Sequence, residues 1–321
     1  MTEHQFPSAF ITRIAELYGP DKALDIIPQM RYSGIYGVRI NTLRGEVEEI
    51  RRSLVKQGIN LFPVTWSKTA FVTDSPRISV GMTRELQNGK LYFQSLSSMV
   101  PVIVMDPQPE EEILDMAAAP GSKTSQIAAL MKNKGEIVAN DIDRNRIYKL
   151  EFVLRMMGVE NVVISRKAGQ SLWQQYPEGF DRVLLDAPCS LEGQFDLDRP
   201  ASYRGWSVKK VKELARLQQW LLRSAVSATV TGGIIIYSTC TISPEENEGV
   251  VSWILEKEKG LIELEEIKMQ GVPFVDGITK WGKDEYGSEM KKTKRILPAP
   301  GWEAFYVAKF RKVASNVSSL Q

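Results

Sequence analysis

From residue 106 onward, short apolar runs rich in Val, Ile and Leu alternate with longer amphipathic stretches, and this alternation constrains the fold more than any other feature. Residues 111–116, 135–141, 161–166, 181–186 and 232–238 read as strands, and residues 122–133, 143–157, 207–229 and 244–257 as helices. Near-continuous apolar strands separated by helices specify a parallel sheet buried on both faces. The expected class is therefore α/β with a doubly wound sheet. A last apolar run, 304–310, reads as an antiparallel edge strand. Ser207 is placed to cap the long third helix, and Ser243-Pro244-Glu245-Glu246 reads as a capping box with Pro at the first helical position.

Residues 1–105 form a different pattern and read as a small mixed α/β module. Ser8 precedes an amphipathic helix, residues 36–42 read as a strand, residues 46–58 as a helix, and residues 61–73 as extended chain. The charged stretch 280–295 reads as a surface loop. Residues 313–321 read as a disordered tail, which gives domains of 1–105 and 106–312. Across 321 residues, 41 basic and 39 acidic side chains leave a net charge of +2, so a nucleic-acid surface must be a local patch. No apolar run reaches the length of a membrane span and no signal peptide is visible, so a cytoplasmic, membrane-free protein is expected. The single histidine, His4, sits in a terminus expected to fray, which excludes Ser-His-Asp and Cys-His triads and imidazole zinc sites. Two cysteines make neither a disulfide framework nor a zinc site, so no metal is expected.

Chemistry concentrates where strands end. The segment "LDMAAAPGSKTSQIA" (114–128) joins the first strong strand to a helix through small residues, which let a ligand approach backbone N–H groups closely. Asp141 follows Gly121 by 20 residues, at the end of the next strand, where a doubly wound fold places a carboxylate on a ribose. The spacing lacks the glycine that a P-loop needs five residues before Gly121, and no G-x-G-x-x-G is present. A nucleoside-type ligand other than ATP or a dinucleotide is expected. Cys189, in "DAPCS" (186–190), and Cys240, in "YSTCT" (237–241), each follow a strand.

These motifs resemble the Sun family of RNA cytosine-5 methyltransferases, which use S-adenosylmethionine. The resemblance runs over residues 36–312 and rests on "RINTLRG" (39–45), "FQSLSS" (93–98), "LDMAAAPGSKT" (114–124), "VANDIDRNR" (138–146), "LLDAPCS" (184–190), "YSTCTISPEENE" (237–248) and "RILPAPGWEAFYVAKFRK" (295–312). It implies a Rossmann-like methyltransferase sheet with a small RNA-recognition-like N-terminal domain. It implies that Cys240 is a nucleophile adding to cytosine carbon 6, that Cys189 assists loss of the carbon 5 proton, and that Asp186 faces the base edge. Burial is expected to make Asp186 an acid. Lys123 would stand near the reacting thiol and, with helix N-termini, favour its thiolate. Ala117, Ala118, Ala119, Pro120, Gly121, Ser122 and Lys123 would line the cofactor, Asp141 would hold its ribose, and Arg146, Ala168 and Asp186 would border it. Ala168 stands where the family carries an Asp for the adenine, Leu191 where it carries Gly, and Ser95 where Asp is common.

The expected partner is structured RNA, either rRNA or tRNA with a slight preference for rRNA, and a monomer is expected. The basic and aromatic stretch 199–210 (Arg199, Tyr203, Arg204, Trp206, Lys209, Lys210) is either an RNA surface or an ordinary loop with Trp206 in the core. "KKTKR" (291–295) is a second basic candidate. No C-terminal RNA-binding extension is visible beyond 312 and no long helical extension before 36, so a compact core is expected. Two competing functions stay open: a DNA cytosine-5 methyltransferase, which would use Pro188-Cys189 and leave Cys240 without a role, and a catalytically weak RNA-binding assembly factor.

Overall fold

The computed structural model describes residues 5–316, so the expectation for His4 lies outside the described residues. Its strands are β1 (Tyr36–Ile40), β2 (Phe62–Val64), β3 (Ser67–Thr73), β4 (Leu91–Phe93), β5 (Glu112–Asp115), β6 (Glu136–Asn140), β7 (Val162–Ser165), β8 (Phe180–Asp186), β9 (Thr229–Thr239), β10 (Ile262–Glu265), β11 (Phe274–Asp276), β12 (Lys280–Trp281), β13 (Asp284–Glu285), β14 (Lys294–Ile296) and β15 (Phe305–Lys312). The large sheet runs β11-β14-β15-β9-β8-β5-β6-β7, with β10 also paired to β15. β7, β6, β5, β8 and β9 are mutually parallel, while β15 joins β9 antiparallel. β15 is not the edge: β14 and β10 flank its outer side.

Alternating side chains explain why both faces are covered. On β9, Ile235 and Tyr237 enter one core with Leu222, Val226 and Val251 from the helices Val208–Ala228 and Glu248–Lys257. Ile234 and Ile236 enter the opposite core with Val102, Ile113 and Ile127. Each side chain of such a pair is removed from water, worth about 1.5–3 kcal/mol apiece. Ser207 caps the helix Val208–Ala228 as expected, accepting from Lys210 N–H.

Four expectations need correction. The helix expected from 244 begins at Glu248, because residues 244–247 form turns and Ser243 and Glu246 turn their side chains to other partners. Ser8 lies within its helix, whose N-cap is Pro7. The stretch 280–295 holds the hairpin β12–β13 and the start of β14, not loop alone. The tail is fixed through residue 316: Val313 N–H bonds Leu261 O, and buried Asn316 donates to Ser227 Oγ.

The N-terminal residues contribute to four separate cores, one of them the small cluster of Ala70, Leu96 and Met99. β2-β3-β1-β4 form an antiparallel sheet in a strand–helix–strand–strand–helix–strand order, a split βαβ arrangement. All five residues of β1 are buried. Val38 and Ile40 pack within the module, whereas Arg39 reaches the other way to Gln94 and to Ser125 on the helix Ser122–Met131. The outer face at β1, which an RNA-recognition-like sheet would present to RNA, is thus occupied by the large domain. Residues 6–30 pack instead against Phe195, Tyr203 and Ile242, and Val100, Val102 and Met105 belong to the core under the large sheet.

Candidate active site

The register of two neighbouring parallel strands brings the chemistry together. Asp186, the last residue of β8, stands opposite Ser238 on β9. Ala187 N–H continues the ladder to Ser238 O at 2.8 Å. Cys189 lies three residues beyond β8, and Cys240 immediately beyond β9. Their sulfurs are 3.4 Å apart, and both are free thiols. Ligand sites of open parallel sheets form at these carboxyl ends.

Lys123, the second residue of the helix Ser122–Met131, points into the same space. Its Nζ donates to Asp186 Oδ2 at 2.6 Å and to Ser98 Oγ at 2.7 Å. Ser238 Oγ donates to the other oxygen, Asp186 Oδ1, at 2.7 Å. The expectation of a buried Asp186 is not met: 30 % of its side chain is exposed and both oxygens are engaged. A cavity of about 240 Å³ opens beside this group, lined by Cys240, Asp186, Lys123, Ser98, Gln194 and Glu303 among others. That volume admits one flat heterocycle. Glu303 was not singled out from sequence. Burial pushes its carboxyl up, and Ser95, Lys123 and Arg77 oppose that rise.

Cys240 is not a preformed thiolate. Its hydrogen bond with Cys189, its burial, and the nearby Cys189, Asp186 and Glu303 push its thiol well up. Lys123 was expected to favour the thiolate, but its charge is engaged by Asp186.

The residues expected to line the cofactor form an adjoining turn. Ala118 N–H bonds Asn140 O, and Gly121 N–H bonds Ala118 O, closing a tight turn that contains a cis Ala119–Pro120 peptide. Gly121 has φ +107°, and a Cβ there would stand 3.1 Å from Leu150 Cδ1. Glycine is favoured there by its conformation, and any larger residue would also press on Leu150 and Val153. The helix that follows has no side-chain N-cap, so its first N–H groups face this turn. Asp141 is buried, and its Oδ2 has no hydrogen-bond partner although Arg146 Nη1 lies 3.4 Å away. Arg146 Nη2 instead donates to Ala119 O at 2.5 Å. A buried, partnerless carboxylate oxygen beside a helix N-terminus fits a ribose hydroxyl as donor, and this fit is read from the residues themselves. Ala168 is exposed at the rim and contributes only backbone. The neighbouring Asn140 sets that loop, exchanging two hydrogen bonds with the Lys167 backbone at 2.9 and 3.1 Å.

The stretch 199–210 divides. Tyr203 is buried, and Trp206 packs edge-on against Phe10 with ring centroids 5.4 Å apart while its Nε1 donates to Glu192 at 2.7 Å. Both aromatics are core residues, leaving Arg199, Arg204, Lys209 and Lys210 exposed. In "KKTKR", Arg295 is buried and paired with Glu248. Leu191 adopts φ +60°, the left-handed region that a glycine would occupy without cost.

Residues 102–311 match the model of the 16S rRNA methyltransferase RsmB/F family. The chain belongs to this family. Its members are RNA cytosine-C5 methyltransferases that use S-adenosylmethionine, the family that the sequence motifs indicated. The chain is 41% identical over 277 residues to a tRNA (cytosine(49)-C(5))-methyltransferase of Pyrococcus abyssi, covering 86% of this chain and 87% of that one. It is 37% identical over 294 residues to a human 28S rRNA (cytosine(4447)-C(5))-methyltransferase, covering 88% of this chain and 35% of that one. It spans between 35% and 51% of the length of the eukaryotic rRNA relatives it matches. A solved methyltransferase homolog from Pyrococcus horikoshii superposes with a TM-score of 0.82 at 33% identity, over 96% of each chain. NSun6 from the same organism, solved with SFG, an analogue of S-adenosylmethionine, superposes with a TM-score of 0.84 at 25% identity, over 98% of this chain and all of that one.

Proposed function

We propose that this chain methylates carbon 5 of a cytosine in structured RNA, with Cys240 as the covalent catalyst and Cys189 as the residue that helps release the product. One observation supports the reading above others: Cys240 lines a base-sized cavity that also holds the Lys123–Asp186 pair, and a second free thiol, Cys189, stands 3.4 Å behind it.

S-adenosylmethionine, when bound, supplies an electrophilic methyl group; Asp141, Arg146, the Ala117–Ser122 turn, Ala168 and Asp186 would surround it. The remaining work belongs to the protein. Carbon 5 of cytosine is a weak nucleophile. Adding the Cys240 sulfur to carbon 6, with the thiol proton passing to the nearby Asp186 carboxylate, breaks the 5,6 double bond and moves its electrons toward carbon 5, dividing one hard step into easier ones. Asp186 and Lys123 are placed to hold the base edge while negative charge develops there. After carbon 5 gains its substituent, loss of its proton reforms the double bond and expels Cys240 as thiolate. Cys189, 3.4 Å from Cys240, would assist that loss.

The target base must leave its stack to enter the cavity. Arg199, Arg204, Lys209 and Lys210, exposed beyond the Cys189 loop, supply positive charge for the flanking phosphates. The Pyrococcus abyssi relative acts on tRNA and matches over most of its length, so both tRNA and rRNA belong in the assay. A DNA enzyme that used Cys189 as nucleophile would leave Cys240, which lines the cavity, without a role. The test is transfer of a labelled methyl group to tRNA, rRNA and DNA, with the modified nucleoside identified by mass spectrometry. 5-Methylcytidine in RNA supports the reading. RNA binding without transfer to any RNA would favour the assembly factor instead.

A further inference from the structure

Two carboxylates behind the cavity tie the cysteine loops to each other. Glu192 and Glu246 are fully buried, and neither forms an ion pair among the described residues. Each belongs to one cysteine's loop and is bound by the other. Glu192 follows Cys189 by three residues. Its Oε2 accepts from Thr241 Oγ1 at 2.7 Å and from Ile242 N–H at 3.1 Å, and its Oε1 from Ser243 Oγ at 2.7 Å, all just past Cys240. Glu246 follows Cys240 by six residues. Its Oε2 accepts from Ser190 N–H, next to Cys189, at 3.0 Å and from Gln218 Nε2 at 2.8 Å. The same Gln218 nitrogen donates to Pro188 O at 2.8 Å.

Burying two carboxyl groups without a cation is costly, and their hydrogen bonds offset it only in part: burial and the nearby Glu192 push Glu246 up to about 7 against the Ser190 and Gln218 bonds. A neutral apolar filler would hold the loops with less electrostatic cost but with no directional bonds to particular atoms. The two cysteines do not depend equally on these bonds. Cys240 emerges directly from β9, a strand paired on both sides. Cys189 stands three residues out from β8, on a segment tied across to the second loop by Glu192, Glu246, the Ser190 Oγ–Thr241 Oγ1 hydroxyl pair at 2.9 Å and one backbone bond, Gly193 N–H to Cys240 O at 2.9 Å.

We propose that Glu192 and Glu246 are positioning residues that fix where the Cys189 thiol stands relative to Cys240, and so govern release of the methylated base rather than its capture. This rests on the assignment of Cys240 as nucleophile. Loosening the clasp leaves Cys240 in place to form the carbon 6 bond but displaces the group that assists its breaking.

The test uses the full chain with Glu246→Gln, Glu192→Gln and, as a variant that introduces no altered carboxylate, Gln218→Leu. Each is incubated with S-adenosylmethionine and substrate RNA, and the denaturant-resistant protein–RNA complex is followed over time beside wild type and Cys189→Ala. The expected result is a complex that forms at near wild-type rate and decays about ten- to hundredfold more slowly, the rate equivalent of a hydrogen bond to a charged group. Adding Cys240→Ala should abolish it. Capture and release falling together would show a merely structural role and overturn the proposal. So would decay at the wild-type rate in all three variants. If Cys189→Ala itself gives no complex, the covalent reading fails first, and this outcome is distinguishable because it does not involve the clasp variants.

Discussion

Asp115 makes the stability of this protein depend on pH in a way that can be worked out in advance. It ends β5 beneath the cofactor turn, is 1 % exposed, and has one oxygen bonded by Thr124 Oγ1 at 2.7 Å and the other without a partner. Burial pushes its carboxyl up to about 7 from the ordinary 3.8, with the Thr124 bond opposing and Asp186 adding to the rise. A carboxyl raised in the folded state favours the protonated form there. Its contribution is fully present below the unfolded value and is lost as pH rises through the folded one. Between those values the folded state binds more protons than the unfolded state, so stability falls with rising pH. The whole loss is about 4 kcal/mol, of which about 2–3 kcal/mol falls between about pH 5 and pH 8. The perturbation is Asp115→Asn, which cannot titrate. Urea denaturation of both proteins at the two pH values gives four free energies. Asparagine adds its own constant cost, but the difference of differences removes it, along with the rise of Glu246 to about 7 that both proteins share. The wild type should lose about 2–3 kcal/mol more than the variant over this interval. Parallel losses would refute the reasoning, because they would mean that Asp115 ionises in the fold at no cost.

Three further outcomes follow from the same geometry. Asp141→Asn should weaken S-adenosylmethionine about ten- to hundredfold by calorimetry, the value of a hydrogen bond to a charged group, and unchanged affinity would remove Asp141 from the site. Trp206→Ala should cost about 2–3 kcal/mol in a thermal or urea melt, as a partly buried aromatic packed on a core does, while Lys209→Ala with Lys210→Ala should leave stability nearly unchanged and weaken RNA binding; the reverse pattern would restore Trp206 as a stacking residue. Arg295→Met should destabilise by about 3–5 kcal/mol because it leaves Glu248 buried and unpaired, and a loss of RNA affinity without a loss of stability would place Arg295 on the RNA surface after all.

Much of the large domain was legible because its signals are local. The runs before Asp186 and Cys240 are apolar enough to be buried on both faces, and a parallel sheet is the arrangement that does this. Two strand ends then fall side by side, and both thiols with them. The Gly121 turn and Asp141 were legible as neighbours through spacing, since a turn after one parallel strand and a carboxylate at the end of the next lie one strand apart. What escaped the sequence depended on partners distant in the chain. Glu246 looks like the last member of a capping box, and only the fold shows that it serves Ser190 and Gln218 instead. Tyr203 and Trp206 look like a stacking platform until the N-terminal helices bring Phe6 and Phe10 against them. Arg295 reads as a basic loop residue because its partner Glu248 is far away in sequence. Lys123 lines the same cavity as Cys240, but its ion pair with Asp186 depends on a partner 63 residues away that the sequence does not bring beside it.

The central claim is that Cys240 makes the bond to cytosine and Cys189 helps break it. The most direct measurement is a denaturing gel of Cys189→Ala and Cys240→Ala, each incubated with S-adenosylmethionine and cellular RNA, with any trapped RNA sequenced. The account predicts a denaturant-resistant protein–RNA band in Cys189→Ala alone, at a single cytosine. A stable band in Cys240→Ala instead would reverse the two roles. No band in either variant, with no methyl transfer by wild type, would contradict the account altogether.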